Sequence, residues 1–241
     1  MQRYFIDENQ INEQTVIIDN SDVHHIKDVM RFKVTDNIIV NTYEGSVFET
    51  EIEKIEKNRV VLRIVKSLVN DYQSLPLDLG VSLIKKDRFE LILEKTTELG
   101  VRKIIPLNTD RSIIKINDFD KKHERFMTIV KEASEQSERS VLPIISDFTN
   151  LKSLELDKYD YKLFCYAREN SLNIKEELTG LKKNHNILIL IGPEGDFSQT
   201  EISYLLENGF KSVSLGKTIL RSETAAIYAV SLVRFLLEDQ L

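Results

Sequence analysis

Two short apolar runs that end at glycine constrain this chain more than any other feature. The first covers residues 187–191 and leads into Gly192-Pro193-Glu194-Gly195; the second ends at Leu215-Gly216 and leads into residues 217–221. A helix-like pattern follows each loop. Tandem strand–glycine–helix units predict parallel strands whose carboxyl ends lie side by side, which is where α/β sheets bind small ligands.

The character of the sequence changes near residue 73. Residues 1–73 contain short β-branched runs separated by turn residues, and one helical insert in which Val23, Ile26 and Met30 recur at helical spacing. This pattern predicts a small β-barrel. Residues 74–241 alternate apolar runs with amphipathic segments, including a helix over residues 118–138 and a Ser198-x-x-Glu201 capping box. We expect a mostly parallel sheet there, with helices on both faces.

Composition sets the broad class. With 41% hydrophobic and 30% charged residues among 241, the chain is typical of a soluble globular protein. The first residues lack the apolar core of a signal peptide, and no apolar run is long enough to span a bilayer. The single cysteine, Cys165, excludes an internal disulfide and fits a reducing compartment. We therefore expect a cytoplasmic protein without a membrane partner.

Several common ligand sites are excluded by spacing. Gly216-Lys217-Thr218 has the tail of a nucleotide-binding P-loop, but Lys211 stands where its first glycine should be. No Gly-x-Gly-x-x-Gly dinucleotide fingerprint is present. His24 and His25 would diverge by roughly 100° on a helix and could not share a metal. We expect no metal site.

Four motifs, taken together, resemble those of one enzyme family. They are residues 24–31 (HHIKDVMR), 132–139 (EASEQSER), the loop at Gly192 and residues 215–225 (LGKTILRSETA). In order and content they are similar to the SPOUT class of RNA methyltransferases, and most closely to the bacterial ribosomal RNA small-subunit methyltransferase E family. The resemblance extends from the N-terminal domain to the last helix.

The resemblance implies both a fold and an activity. It implies a SPOUT α/β domain over residues 74–241 with a C-terminal trefoil knot, an exception to the rule that chains stay unknotted. A PUA-like RNA-docking barrel would occupy residues 1–73. The implied enzyme is a homodimer with its active site completed across the interface. It uses S-adenosyl-L-methionine to methylate N3 of a uridine in 16S rRNA of the small ribosomal subunit, a step of ribosome biogenesis.

The resemblance also assigns residues to the methyl donor. Backbone groups of three loops would hold it, with contributions from Cys165, Tyr166, Ile191, Gly192, Pro193, Glu194, Gly195, Leu215, Gly216, Ile219, Leu220 and Ala225. The family usually has glycine where this chain has Asp196 and Glu138. If those positions require φ > 0°, aspartate is tolerated there better than glutamate.

Methylation at N3 requires loss of the imide proton, so the site needs a cation near the uridine carbonyls and a proton acceptor. Arg139 and Arg221 are candidates for the cation, and Glu135 and Glu223 are candidates for the acceptor or an orienting group. The alternatives are an i,i+4 ion pair between Glu135 and Arg139 and a local surface pair between Arg221 and Glu223.

Basic residues suggest where RNA would bind. The candidates for RNA contact are Arg3, His25, Arg31, Lys85, Lys86 and Arg88. Two other functions stay open at this point. The chain could methylate another RNA, such as a tRNA, or bind donor and RNA without catalysis.

Overall fold

The computed structural model describes residues 1–112, 119–168 and 172–240. Its described residues form two compact units. Unit 1 comprises residues 1–72 and 134–142, and unit 2 comprises the other described residues. The first division lies one residue from the predicted boundary. The assignment of residues 134–142 to unit 1 has no counterpart in the sequence pattern.

Unit 1 is built on a six-stranded sheet with the order β1-β4-β5-β6-β3-β2. The strands are β1 (Arg3–Ile6), β2 (Ile11–Asn12), β3 (Thr15–Ile18), β4 (Asn37–Thr42), β5 (Val47–Ile55) and β6 (Val60–Leu68). Only β1 and β4 pair in parallel; the other pairs are antiparallel. Alternate side chains of β3 and β6, such as Val16, Ile18, Val60 and Leu62, fill one core.

The helical insert of unit 1 differs in detail from its prediction. Helix α1 (Asp22–His24) continues as a π-helical segment, His25–Val29. Val23 and Ile26 are buried as predicted, but Met30 is 42% exposed. The reason is the wider π-turn, in which Met30 N–H donates to the His25 carbonyl five residues back. One extra residue in the turn rotates Met30 away from the apolar face.

Unit 2 contains a seven-stranded sheet in which every pairing is parallel, as predicted. The order is β10-β8-β7-β12-β11-β13, and β9 also pairs with β8. The strands are β7 (Leu77–Ser82), β8 (Lys103–Asn108), β9 (Ile144–Ile145), β10 (Thr149–Asn150), β11 (Tyr161–Cys165), β12 (Ile187–Ile191) and β13 (Lys211–Val213). The helices are α2 (Lys86–Glu98), α3 (Phe119–Gln136), α4 (Ile174–Glu177), α5 (Gln199–Glu207) and α6 (Ser222–Leu237). Short 3₁₀ segments cover Leu151–Ser153 and Glu238–Gln240 in unit 2 and Glu8–Gln10 in unit 1.

Both faces of this sheet are covered, as its apolar strands require. In β12, Ile187, Ile189 and Ile191 join a core that includes α2 and α6, whereas Leu188 and Leu190 join a second core on the opposite face with residues of α5. None of the described helices is long and apolar enough to cross a membrane.

Helix α3 ends earlier than predicted. The expected helix continued to residue 138, but α3 ends at Gln136, and Glu138 adopts a left-handed φ of 58°. Residue 118, the predicted start, lies outside the described residues. Because the chain turns at Glu138, Arg139 lies beyond the end of α3 and does not share a helix face with Glu135.

Candidate functional site

Three neighbouring strands of unit 2 end at the same level. In the register of the sheet, Cys165 at the end of β11 lies opposite Ile191 of β12 and Val213 of β13. The loops that follow the three strands therefore leave the sheet next to one another at its carboxyl edge. Their loops surround a cavity of about 240 Å³.

The loops predicted to hold the methyl donor form the walls of this cavity. Its lining consists of Cys165, Tyr166, Ala167, Ile191, Gly192, Pro193, Glu194, Asp196, Ser214, Leu215, Gly216, Thr218, Ile219, Leu220, Arg221, Ser222 and Ala225. Every predicted donor-binding residue lines it except Gly195, whose carbonyl accepts a 2.8 Å hydrogen bond from Arg111. Among the other lining residues, Ala167 and Thr218 lie inside the loops predicted to hold the donor, whereas Asp196, Ser214 and Ser222 lie next to those loops and were not predicted.

Local hydrogen bonds fix these loops. The predicted capping box at Ser198 is confirmed, since its hydroxyl accepts from Glu201 N–H and the Glu201 carboxylate accepts from Ser198 N–H. At the start of α6, the Ser222 hydroxyl donates to the Gly192 carbonyl at 2.8 Å and so joins two of the loops.

Gly216 is required for its backbone conformation. Its φ is 124°, which side chains of L-residues rarely adopt, and nothing lies within 4 Å of the position that a Cβ would take. The third loop therefore depends on glycine because of its backbone angle. Crowding at residue 216 is not the reason.

One arginine joins Glu194, which lines the cavity, to Glu223, which is not among the lining residues. Arg88 Nη1 lies 3.1 Å from Glu194 Oε1, and Arg88 Nε lies 3.7 Å from Glu223 Oε1. Glu223 is only 9% exposed, and its buried Oε2 has no hydrogen-bond partner among the described residues. A carboxylate oxygen of this kind is completed by a ligand or by solvent.

Arg221 lines the same cavity and is exposed. No ion pair to its guanidinium is found within the described part of the chain. The sequence alternative of an Arg221–Glu223 surface pair is therefore not what the structure shows, because Glu223 is buried and pairs with Arg88. The guanidinium of Arg221 stays available to a ligand.

Cys165 forms part of the cavity wall as an unreactive thiol. Burial, reinforced by the nearby Asp196 carboxylate, raises the pKa of Cys165 to about 12. The group is therefore protonated at neutral pH and serves as an apolar surface.

Glu135 and Arg139 both have contacts within unit 1. Glu135 Oε1 accepts from Phe5 N–H at 3.0 Å, and Arg139 Nε donates to the Val141 carbonyl at 3.1 Å. The Arg139 guanidinium also lies over the ring of Tyr72, 5.3 Å from its centroid. Both residues are buried, and their assignment to the chemistry stays a prediction.

The predicted RNA contacts differ in their surroundings. In unit 1, Arg31 is exposed, Arg3 lies 3.4 Å from Asn41 Oδ1, and His25 Nδ1 shares a 2.9 Å hydrogen bond with the Tyr4 hydroxyl. In unit 2, Lys85 and Lys86 are exposed beside the start of α2. Arg88, by contrast, is engaged by Glu194 and Glu223.

The described residues contain no group of three or more His, Cys, Asp or Glu side chains that could hold a metal ion.

Comparison with known proteins identifies the family. The model of an RNA methyltransferase domain matches residues 71–234. The chain belongs to this RNA methyltransferase family. The model of an RNA methyltransferase PUA domain matches residues 18–65, within the part of the chain predicted to be a PUA-like barrel.

Relatives within the RNA methyltransferase family align over nearly the whole chain. The ribosomal RNA small subunit methyltransferase E of Bacillus subtilis (strain 168) is 35% identical over 98% of this chain and 96% of its own length. The protein of that name from Rickettsia conorii is 34% identical over 93% of this chain and 91% of its own length. The crystal structure of the Neisseria gonorrhoeae enzyme bound to S-adenosyl methionine is similar with a TM-score of 0.85 and 29% identity, covering 98% of both chains.

Proposed function

We propose that this RNA methyltransferase uses S-adenosyl-L-methionine to methylate N3 of a specific uridine in the 16S rRNA of the small ribosomal subunit. The observation that carries the proposal is the cavity at the carboxyl edge of the parallel sheet, whose walls are the loops predicted for the donor. The names of these relatives, and the donor bound in one of them, support the same activity.

The cavity suits such a donor chemically. Its apolar wall, formed by Ile191, Leu215, Ile219, Leu220 and Ala225, fits an adenine ring. Ile219 lines the cavity and is 79% exposed, so its side chain is accessible to a ligand. When bound, S-adenosyl-L-methionine supplies an electrophilic methyl group on a sulfonium, a chemistry that requires no metal.

The charged residues of the site fit the needs of the nucleotide. The imide nitrogen of uridine is a poor nucleophile until its proton is removed, and negative charge then spreads onto both carbonyl oxygens. Arg221 offers a planar cation for a carbonyl oxygen. Glu223 is the candidate acceptor for the proton: its buried Oε2 has no hydrogen-bond partner among the described residues, while Arg88 engages Oε1 of the same carboxylate. Arg221 lines the cavity, so the cation role is assigned to it first, with Glu223 of the same motif as the acceptor; Arg139 and Glu135 stay candidates for the same two roles.

The remaining parts of the proposal concern assembly. Tyr228 and Phe235, seven residues apart on α6, are 46% and 73% exposed. Because residues seven apart share one helix face, they form an apolar strip suited to a second copy of the chain. We therefore propose that the protein is a homodimer. On the family resemblance we also propose that the donor-binding region is knotted and that the protein is cytoplasmic. Residues 1–73 would serve in RNA docking through Arg3, His25 and Arg31, and Lys85 and Lys86 of residues 74–241 would meet phosphate.

Methyl transfer from labelled S-adenosyl-L-methionine tests this function. The acceptors are small ribosomal subunits that lack their own modification, with naked rRNA and tRNA in parallel. Reverse transcription maps the product, because a methyl group at N3 blocks base pairing and stops the polymerase. A single stop at a uridine of 16S rRNA is the expected result. Label in tRNA alone would overturn the substrate, and donor binding without any transfer would indicate a non-catalytic RNA-binding protein.

A further inference from the structure

Asp196 occupies a position in the cavity wall that favours glycine. Its φ is 61°, in the left-handed region, and it lies in the loop that follows β12. A side chain in this conformation has a free-energy cost that glycine avoids. Asparagine and aspartate tolerate the conformation best, because their short side chains bond to nearby backbone.

The carboxylate of Asp196 makes contacts that compensate for this cost. Oδ1 accepts a 2.9 Å hydrogen bond from Phe197 N–H, and Oδ2 accepts a 3.3 Å hydrogen bond from Ala167 N–H. The first bond is local, within the loop after β12. The second reaches Ala167, which follows β11, so the side chain spans two of the three loops around the cavity.

The space for this carboxylate is provided by Gly192. A Cβ at residue 192 would lie 3.3 Å from Asp196 Oδ1 and 3.3 Å from the ring of Phe197. Phe197 is itself buried against Phe164, with the ring centroids 5.9 Å apart. The loop is therefore packed closely around the Asp196 side chain on one side and open to the cavity on the other.

We propose that Asp196 is a positioning residue for the methyl donor, holding the loop after β11 against the loop after β12 and so setting the separation of two cavity walls. The inference rests on the proposed donor binding at this cavity. The Asp196→Gly variant distinguishes the cost of the backbone conformation from the effect of the hydrogen bond to Ala167. Glycine at 196 would remove the cost of the left-handed conformation and would also remove that hydrogen bond.

Asp196→Gly and Glu138→Gly form a matched pair for the test. Both variants replace a residue whose backbone is left-handed, with φ of 61° at Asp196 and 58° at Glu138. Glu138, however, lies in unit 1 and does not line the cavity. Calorimetry on the full chain measures the Kd of S-adenosyl-L-methionine and of its product S-adenosyl-L-homocysteine. We expect Asp196→Gly to weaken both by about tenfold, the usual effect of losing a hydrogen bond to a charged group. Glu138→Gly should change neither.

Exchange of the Ala167 amide hydrogen provides a readout that needs no ligand. It should be protected in the wild type and exchange faster in Asp196→Gly, while Asp196→Asn, which keeps one oxygen acceptor, should give an intermediate rate. Unfolding in urea should show no loss of stability in Asp196→Gly.

The outcomes separate the two proposals. Wild-type protein that binds neither ligand would overturn the proposed donor binding and, with it, the role given to Asp196. Wild-type binding that Asp196→Gly matches within twofold, or an Ala167 amide that exchanges equally in both proteins, would overturn the role of Asp196 alone.

Discussion

The two ends of the parallel sheet in unit 2 differ in how fully their buried carboxylates are hydrogen-bonded. At the amino end, Asp78 of β7 is 1% exposed and both its oxygens are engaged. Arg102 Nε donates to Oδ1 at 2.8 Å, and the Tyr159 hydroxyl donates to Oδ2 at 2.6 Å. Arg102 also donates to Asn186 at 2.7 Å. At the carboxyl end, Glu223 keeps one buried oxygen without a hydrogen-bond partner among the described residues.

This difference indicates that the buried carboxylates at the two ends of the sheet have different roles, one in stability and one in ligand binding. A buried carboxylate with hydrogen bonds to both oxygens stabilises the local fold that supplies the donors. Removing one of the partners leaves a buried charge without compensation. A carboxylate left incomplete costs stability unless a ligand completes it. We infer that the amino end contributes to stability, whereas the carboxyl end is kept for donor and substrate.

The largest expected effect concerns the carboxyl end. Arg221→Ala should lower kcat for methyl transfer about a thousandfold, because it removes the cation assigned to the charge that develops on the uridine carbonyls. Its exposed side chain makes no ion pair within the described residues, so the free energy of unfolding should stay within about 0.5 kcal/mol of the wild type. Single-turnover transfer and urea unfolding measure the two quantities. Wild-type turnover would remove Arg221 from the mechanism.

At the amino end the opposite result is expected. Asp78→Ala should lower the free energy of unfolding by about 3 kcal/mol, since it leaves Arg102 and the Tyr159 hydroxyl without their acceptor. Transfer activity per folded molecule should not change, because Asp78 is at the far end of the strand from the cavity. Urea unfolding and activity at matched folded concentration test this. An activity loss larger than the folded fraction explains would show that the two ends are coupled.

A smaller effect is expected from two glycine positions that both have a positive φ. Gly216 in the cavity wall and Gly180 outside it have φ of 124° and 82°, and neither has atoms within 4 Å of a Cβ position. Gly216→Val should weaken donor binding about tenfold, because the third loop must leave its conformation to accommodate the side chain. Gly180→Val should have a similar stability cost and an unchanged donor Kd. Equal donor affinities for both variants would contradict the assignment of the cavity.

Much of the carboxyl end could be predicted from sequence because its signals are local. The apolar run of β12, the glycine that ends it and the capping box at Ser198 lie within a dozen residues, and each has a specific backbone consequence. Whether Asp196 and Glu138, at usual glycine positions of the family, need a positive φ was left open by the sequence; both have one.

Other features could not be predicted, since they depend on residues distant in sequence. Arg88 was assigned to RNA from a basic cluster, but its carboxylate partner Glu194 is 106 residues away. Asp78 lies 81 residues from Tyr159. The π-turn after His24 and the packing of residues 134–142 in unit 1 have no local signature either, because both are decided by tertiary contacts.

The smallest expected effect is the loss of stability on removing the Tyr159 hydroxyl at the amino end of the sheet. Burial, together with the hydrogen bond to Asp78, raises the pKa of Tyr159 far above its usual range, so its hydroxyl remains a donor throughout the working pH range. Tyr159→Phe should therefore lower the free energy of unfolding by about 1 kcal/mol, the contribution of one such bond.

The double variant Asp78→Ala/Tyr159→Phe supplies the decisive comparison for that pair. If the hydroxyl acts through Asp78, the double variant should lose no more stability than Asp78→Ala alone, because the acceptor is already gone. Additive losses would mean that the Tyr159 hydroxyl stabilises unit 2 by another route. The closed network at the amino end would then be two independent contacts, and the contrast with the open carboxyl end would be weaker than the geometry indicates.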